Sequence, residues 1–161
     1  MSYIVDRNIP YIWMTKTSDY VKYTYFMLPG LTCLLIDDDI DDQEIFLMAL
    51  QDINLPVECV VANDGFHALE ILHQDTMFVP DYIFIDLNMP RMNGKQCVKE
   101  IKKIEHISHV PVVMYSTSSS QNDVEESKKL GADYFITKPT SIYTLTKTLS
   151  EFFVGSKKRH R

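Results

Sequence analysis

The sequence predicts an α/β domain, doubly wound around a five-stranded parallel sheet, and three observations lead there. From Leu31 onward, short apolar runs alternate with longer amphipathic segments. The runs are apolar throughout instead of at every second position, and acidic, hydroxyl and basic side chains stand directly after them. The alternation is the rhythm of parallel strands joined by crossover helices. A strand without polar alternation is buried on both faces, so helices have to cover both sides of the sheet.

Five runs read as strands: Leu31 to Ile36, Val57 to Ala62, Tyr82 to Ile85, Val110 to Tyr115 and Tyr134 to Ile136. The helices between and after them are expected at about Asp41 to Ile53, Phe66 to Gln74, Gly94 to Ile104, Gln121 to Leu130 and Ser141 to Phe153. The first opens on Asp39, Asp41 and Asp42, carboxylates favoured by exposed amide donors and by the helix dipole. The last is the clearest, with Ile142, Leu145, Leu149 and Phe152 at helical spacing on one face. The whole is a flavodoxin-like arrangement, in which a ligand site lies at the carboxyl ends of the strands, near the switch in strand order.

At 161 residues the chain fits one domain with a full core. Residues 1–30 read as an N-terminal extension, rich in aromatics (Tyr3, Tyr11, Trp13, Tyr20, Tyr23, Tyr25, Phe26), without a steady period and ending in Pro29-Gly30. Two readings stay open for it: an arm packing on the domain or a partner, or an upstream start with Met27 as the natural beginning. Residues 31–154 form the predicted domain, and 155–161 a short basic tail with no function attached.

Net charge is −6, with the acids clustered, which suits a cation or a basic partner and argues against a nucleic-acid footprint. Cys33, Cys59 and Cys97 are an odd number without close spacing and read as reduced core residues of an intracellular protein. No stretch approaches a transmembrane length and no secretory signal opens the chain, so a cytoplasmic protein without membrane contact is expected. The five histidines, of which only His106 and His109 are close, lack the companions of a zinc site, and no Gly-rich phosphate loop occurs. Asp37, Asp39 and Asp41 mimic the opening of a calcium loop, but Asp42 stands where glycine is needed and Met48 where a bidentate acid is needed.

The strand ends carry the chemistry. Asp37, Asp38 and Asp39 follow Ile36, Asp86 follows Ile85, Ser116 and Thr117 follow Tyr115, and Lys138 with Pro139 follows Thr137. Carboxylates crowded together destabilise a fold unless a cation sits among them. A hard divalent ion answers that, and magnesium suits a few carboxylates whose shell is completed by water and a phosphate oxygen.

Ile36-Asp37-Asp38, Asp86-Leu87-Asn88-Met89-Pro90 with Gly94, Ser116, and Lys138-Pro139 together resemble the four blocks of response-regulator (CheY-like) receiver domains, in the right order across about residues 31 to 154. The resemblance implies a five-stranded (βα)5 receiver fold that catalyses its own phosphorylation and dephosphorylation in a two-component phosphorelay. Asp86 would accept the phosphoryl group from the phosphohistidine of a sensor kinase. Asp38 would bind Mg2+ directly, Asp37 directly or through water, and Asn88 through its backbone carbonyl. Lys138 would pair with the phosphoryl oxygens, and Ser116, favoured over Thr117 by its spacing from Pro111-Val112-Val113, would sense the product.

Phe135 falls where the family carries a rotating aromatic, most often tyrosine; phenylalanine can swing inward but cannot report through a hydroxyl. Its plainer reading is a strand aromatic. Ser118, two residues after Ser116, falls at a position that tunes phosphoryl lifetime in the family. Thr140, the Ser118-Ser119-Ser120 run, Ile136-Thr137 and the segment from His106 to Pro111 make the chain resemble the single-domain receivers that partner phytochrome-type histidine kinases. The expected partners are a sensor histidine kinase or phosphotransfer protein, with a homodimer as a further option. Two other functions compete: a Mg2+-dependent aspartyl-phosphate phosphohydrolase, faintly suggested by Asp37-x-Asp39 but without room for a cap, and an inert receiver-like binding module.

Overall fold

The computed structural model describes residues 13–17, 20–24 and 30–157. The chain divides into two compact units, Met1–Gly30 and Leu31–Arg161. In the first, β1 (Trp13–Thr17) and β2 (Tyr20–Thr24) form a two-stranded antiparallel ladder, with Trp13 opposite Thr24 and Thr17 opposite Tyr20. This departs from the sequence reading, which finds no steady period before Leu31. Each strand is five residues long, too short for alternation to register, although their β-branched and aromatic residues suit strands. Met27 and the tail beyond Lys157 lie outside the described residues.

The second unit runs β3 (Leu31–Ile36), α1 (Ile40–Asp52), β4 (Val57–Ala62), α2 (Gly65–Gln74), β5 (Tyr82–Ile85), α3 (Gly94–Ile101), β6 (Val112–Ser116), α4 (Gln121–Lys129), β7 (Tyr134–Thr137) and α5 (Ile142–Lys157). All five strands are parallel, in the order β4-β3-β5-β6-β7. The sheet is therefore the doubly wound one expected, with its order switching between β3 and β5.

Alternate side chains of the buried strands feed two apolar layers, as a pleat with period two requires. Leu34, Ile36, Ile83, Ile85, Val112 and Met114 meet Ala68 and Leu72 of α2 and Cys97, Val98 and Ile101 of α3. Cys33, Leu35, Tyr82, Phe84, Val113 and Tyr115 meet Phe46, Ala49 and Leu50 of α1 and Leu145, Leu149 and Phe153 of α5. Phe46 packs edge-on against Phe84 and Tyr115, at centroid distances of 5.1 and 5.4 Å. Such fully buried rings contribute about 1.5–3 kcal/mol each through area removed from water.

Element ends differ from the sequence reading where backbone chemistry overrides periodicity. β6 opens at Val112 instead of Val110, because Pro111 has no N–H to give a ladder. α3 stops at Ile101, and a 3₁₀ turn at Glu105–Ile107 takes over; Ile107 is fully buried there, while Ile104 stands in extended backbone at the turn's start. α5 continues through Lys157, so the tail expected from 155 is helical over its first residues. The buried face of α5 is Leu145, Leu149 and Phe153; Ile142 is 37% exposed. Phe152 is half-buried and packs edge-on against Tyr82 and Tyr134. Among the described residues, no helix is long and apolar enough to cross a membrane.

Candidate functional site

Neighbouring β3 and β5 send their chains to opposite sides, which opens a crevice at their carboxyl ends. The first residue past each strand is pinned by the sheet. The Asp37 amide donates to the Ala62 carbonyl at 3.1 Å, and the Asp86 amide to the Ile36 carbonyl at 2.8 Å. Both side chains are buried, at 1% and 7% exposure for the residues, whereas Asp38 is exposed.

Lys138 arrives from beyond β7, its amide held by the Ser116 carbonyl at 2.8 Å. Its ammonium, buried in a site lined by carboxylates, lies 2.7 Å from Asp37 Oδ2, 2.7 Å from Asp42 Oδ2 and 2.9 Å from Asp86 Oδ1. The Tyr115 ring sits beneath it, 5.2 Å from Nζ to the centroid, a cation–π contact. The second oxygens are also engaged. Asp37 Oδ1 accepts the Asp39 amide at 3.0 Å, and Asp86 Oδ2 accepts the Asn88 amide at 2.7 Å.

Titration follows from that geometry. Burial pushes the Asp37 carboxyl above its ordinary value, against the opposing hydrogen bond from Lys138. Burial alone would lower the Lys138 ammonium; its hydrogen bonds to Asp37, Asp42 and Asp86 outweigh that and hold it well above the ordinary lysine value. Burial raises the Tyr115 phenol too, so it stays protonated.

Charge is unbalanced among the described residues here: Asp37, Asp42 and Asp86 share the Lys138 ammonium, and Asp38 adds a fourth carboxylate beside Asp37 and Asp86. One ligand oxygen from each of Asp37, Asp38 and Asp86 lies within 4.8 Å of the others. These donors are oxygen only, one carboxylate is open to solvent for water ligands, and the local charge is negative. That set fits a hard divalent cation of the magnesium type and not a soft metal.

The structure thus brings together Asp37, Asp38, Asp86 and Lys138, from three distant stretches of sequence. Ser116 is fully buried at the end of β6, with its Oγ accepting the Ser118 amide at 3.1 Å; Thr117 is exposed. Asn88 stands beside Asp86 through its amide. Phe135 is half-buried against the apolar layer of α2 and α3, as a strand aromatic would be.

Sequence reasoning missed two features. Asp42, read with Asp39 and Asp41 as part of a helix start, joins the site through Lys138, while Asp39 is indeed the N-cap, accepting the Asp41 and Asp42 amides. The other is a polar chain leading away from Ser116. Ser118 Oγ donates to Asp123 Oδ2 at 2.6 Å, and Lys95 at the start of α3 bonds Asp123 Oδ1 at 2.8 Å and also Glu126. Lys95 and then Ser118 hold the Asp123 carboxyl below its ordinary range. Only the fold brings residues 28 and 31 positions apart together.

A doubly wound domain with buried aspartates at its switch point and one lysine shared among them has the architecture of a receiver. The chain belongs to the response regulator receiver domain family, whose sequence signature matches residues 33–150. Members of that family are signalling phosphoacceptors. The chain is 28% identical over 123 residues to response regulator Rcp1 of Synechocystis, a match covering 74% of this chain and 84% of that one. It is 29% identical to chemotaxis protein CheY-3 of Vibrio cholerae, covering 77% and 92%. Among solved structures it is similar to a phosphorylated cyanobacterial phytochrome response regulator, RcpA (TM-score 0.70, 29% identity, 79% and 96% covered). It is also similar to the Mn(2+)-bound form of Rcp1 (TM-score 0.65, 27% identity, 75% and 90% covered).

Proposed function

We propose that this receiver accepts a phosphoryl group on Asp86 from the phosphohistidine of a sensor histidine kinase or a phosphotransfer protein, and passes the signal on by a change of shape. The observation that carries the reading is the buried ammonium of Lys138 shared by Asp37, Asp42 and Asp86. A carboxylate oxygen of Asp86 attacks phosphorus in line, the P–N bond breaks, and the imidazole leaves. Lys138, already 2.9 Å from Asp86, offsets the charge that gathers on the phosphoryl oxygens.

Asp37, Asp38 and Asp86, with the Asn88 carbonyl, would hold Mg2+. The ion, when bound, supplies charge neutralisation to the phosphoryl oxygens. Ser116 lies at the end of the strand next to Asp86's own, and its hydroxyl, whose oxygen accepts the Ser118 amide, would donate its proton to a phosphoryl oxygen as the loop draws inward. Such a switch works through the different affinity of the phosphoryl group for two states of the loop. The similarity to a phytochrome response regulator supports a kinase of the phytochrome type as donor. Phosphoryl loss by water attack at the same carboxyl phosphate would reset the domain.

Intact mass after incubation with Mg2+ and a small acyl-phosphate donor tests this. The parent is expected to gain one phosphoryl group and the Asp86→Asn variant none. An unmodified parent would leave an inert binding module, and steady release of phosphate from small esters would mark a phosphohydrolase. Thermal melts supply a second expectation. Mg2+ stabilises by mass action, by about 2.7 kcal/mol at a hundred times its Kd, so Tm should rise over that in chelator, and Asp38→Ala should need more Mg2+ for the same rise.

A further inference from the structure

Cys33 and Cys59 stand directly opposite each other on the neighbouring strands β3 and β4. Both belong to the apolar layer between the sheet and helices α1 and α5, Cys33 fully buried in it and Cys59 half-buried against it. The neighbouring Cys59 thiol, ahead of burial, pushes the Cys33 thiol well above its ordinary range, while Cys59 Sγ itself donates to the Val60 carbonyl at 3.6 Å. The third cysteine, Cys97, lies in the opposite layer, fully buried. Burial pushes its thiol up to about 12, and the sheet separates it from the other two cysteines.

We propose that Cys33 and Cys59 form an oxidant-sensitive thiol pair that closes reversibly into an intrachain disulfide, with peroxide as the oxidant. Adjacent strands are about 4.8 Å apart, and bridged Cα atoms lie about 4.4–6.8 Å apart, so in-register partners are within reach. The Cβ atoms of a disulfide come closer, to about 3.5–4.5 Å, so the strands have to pinch together locally. Among the described residues β4 is an edge strand, paired with β3 alone, and it can take up that movement. The pinch strains the bond, and strained disulfides are the readily reduced, regulatory ones. In a reducing compartment the thiols therefore predominate until an oxidant appears.

The chemistry divides between the two sulfurs by exposure. β4 is mostly half-buried, so Cys59 meets peroxide first. Its thiolate attacks one peroxide oxygen, the O–O bond breaks, and the departing oxygen leaves as water, giving Cys59 sulfenic acid. The Cys33 sulfur then attacks the Cys59 sulfur; the S–S bond forms, the S–O bond breaks, and hydroxide leaves with the Cys33 proton as a second water. Two thiols are oxidised and one peroxide is reduced. Cys33, protonated and enclosed, acts only in the second step.

The whole chain would be treated with hydrogen peroxide, denatured with an alkylating agent and weighed. The expected result is a loss of about 2 Da before alkylation, one alkylatable thiol instead of three, a proteolytic fragment joining the Cys33 and Cys59 peptides, and full reversal by dithiothreitol. Cys33→Ser is expected to trap Cys59 as a sulfenic acid that dimedone labels, and Cys59→Ser to remain unreacted. The parent's own peptide map decides the question even where a variant folds poorly. Three alkylatable thiols after peroxide, a link involving Cys97, or dimedone adducts on the parent without a joined peptide would each overturn the proposal. None of these outcomes depends on phosphorylation.

Discussion

Replacing Lys138 with methionine is expected to weaken the fold by about 3–5 kcal/mol in metal-free buffer, the cost of removing one partner from a buried ion pair. The same change should slow phosphoryl uptake by about 10²–10³, as for loss of one donor to a developing oxyanion. Methionine keeps the length and apolar stem of lysine, so packing on Tyr115 survives while the charge does not. Asp37, 1% exposed, is then left without its cation beside Asp86. Denaturant unfolding with and without Mg2+ reads the first effect, and intact mass against time reads the second. Mg2+ should restore stability to the variant more than to the parent, because it becomes the one positive charge in the site. A variant as stable as the parent in chelator would show that the shared ammonium contributes nothing.

The pH dependence of that deficit has a definite sign. In the parent, burial raises the Asp37 carboxyl while the Lys138 hydrogen bond lowers it. Without the ammonium the lowering influence goes, and the folded-state pKa climbs further above its unfolded value. A carboxyl raised on folding binds more protons in the native state, so stability is lost as pH rises through the folded pKa and regained as pH falls below it. The gap between parent and variant should therefore be widest near neutrality and narrow as the pH drops toward the ordinary carboxylate range.

How far the site was legible follows from where its members sit. Asp37, Asp38, Asp86 and Lys138 each follow a run of apolar strand residues, and strand ends in a doubly wound sheet converge whatever the intervening helices do. Asp42 was illegible for the opposite reason. It is in the first turn of α1, where carboxylates are common as caps, and only the packing of α1 on the sheet decides that this one aims at Lys138. Ser118 was singled out for its place two residues after Ser116, but nothing local joins it to Asp123 and Lys95; that contact depends on how α3 and α4 lie beside each other. In the fold, both apolar layers could be anticipated from uninterrupted strands, whereas the start of β6 turned on a single residue, Pro111. The β1–β2 ladder shows the limit of periodicity, since five residues hold too few repeats to tell a strand from an aromatic-rich stretch.

Gly94 carries the second large expectation, since its need for glycine lies in the space around it and not in its backbone angles. It is the first residue of α3, its amide held by the Leu87 carbonyl at 2.9 Å. A Cβ built there would press into the Asp86 carbonyl oxygen and lie 2.9 Å from both Leu87 Cα and Met114 Cε. The methionine tip can turn aside, but the other two are backbone atoms, one of them in the proposed phosphoacceptor itself. Either α3 backs away from the sheet or the chain at Asp86 shifts. Gly94→Ala should therefore cost about 1–3 kcal/mol or more, the range for overpacking, even though alanine is the better helix former by about 1 kcal/mol. Because the displaced atoms belong to Asp86, the variant should also take up phosphoryl groups more slowly where Mg2+ keeps it folded. A control at Gly155, where a Cβ meets nothing within 4 Å, separates the two influences: Gly155→Ala should be neutral or stabilising. If both substitutions stabilise, α3 does not approach the Asp86 backbone as closely as described, and the tie between that helix and the acceptor strand is lost.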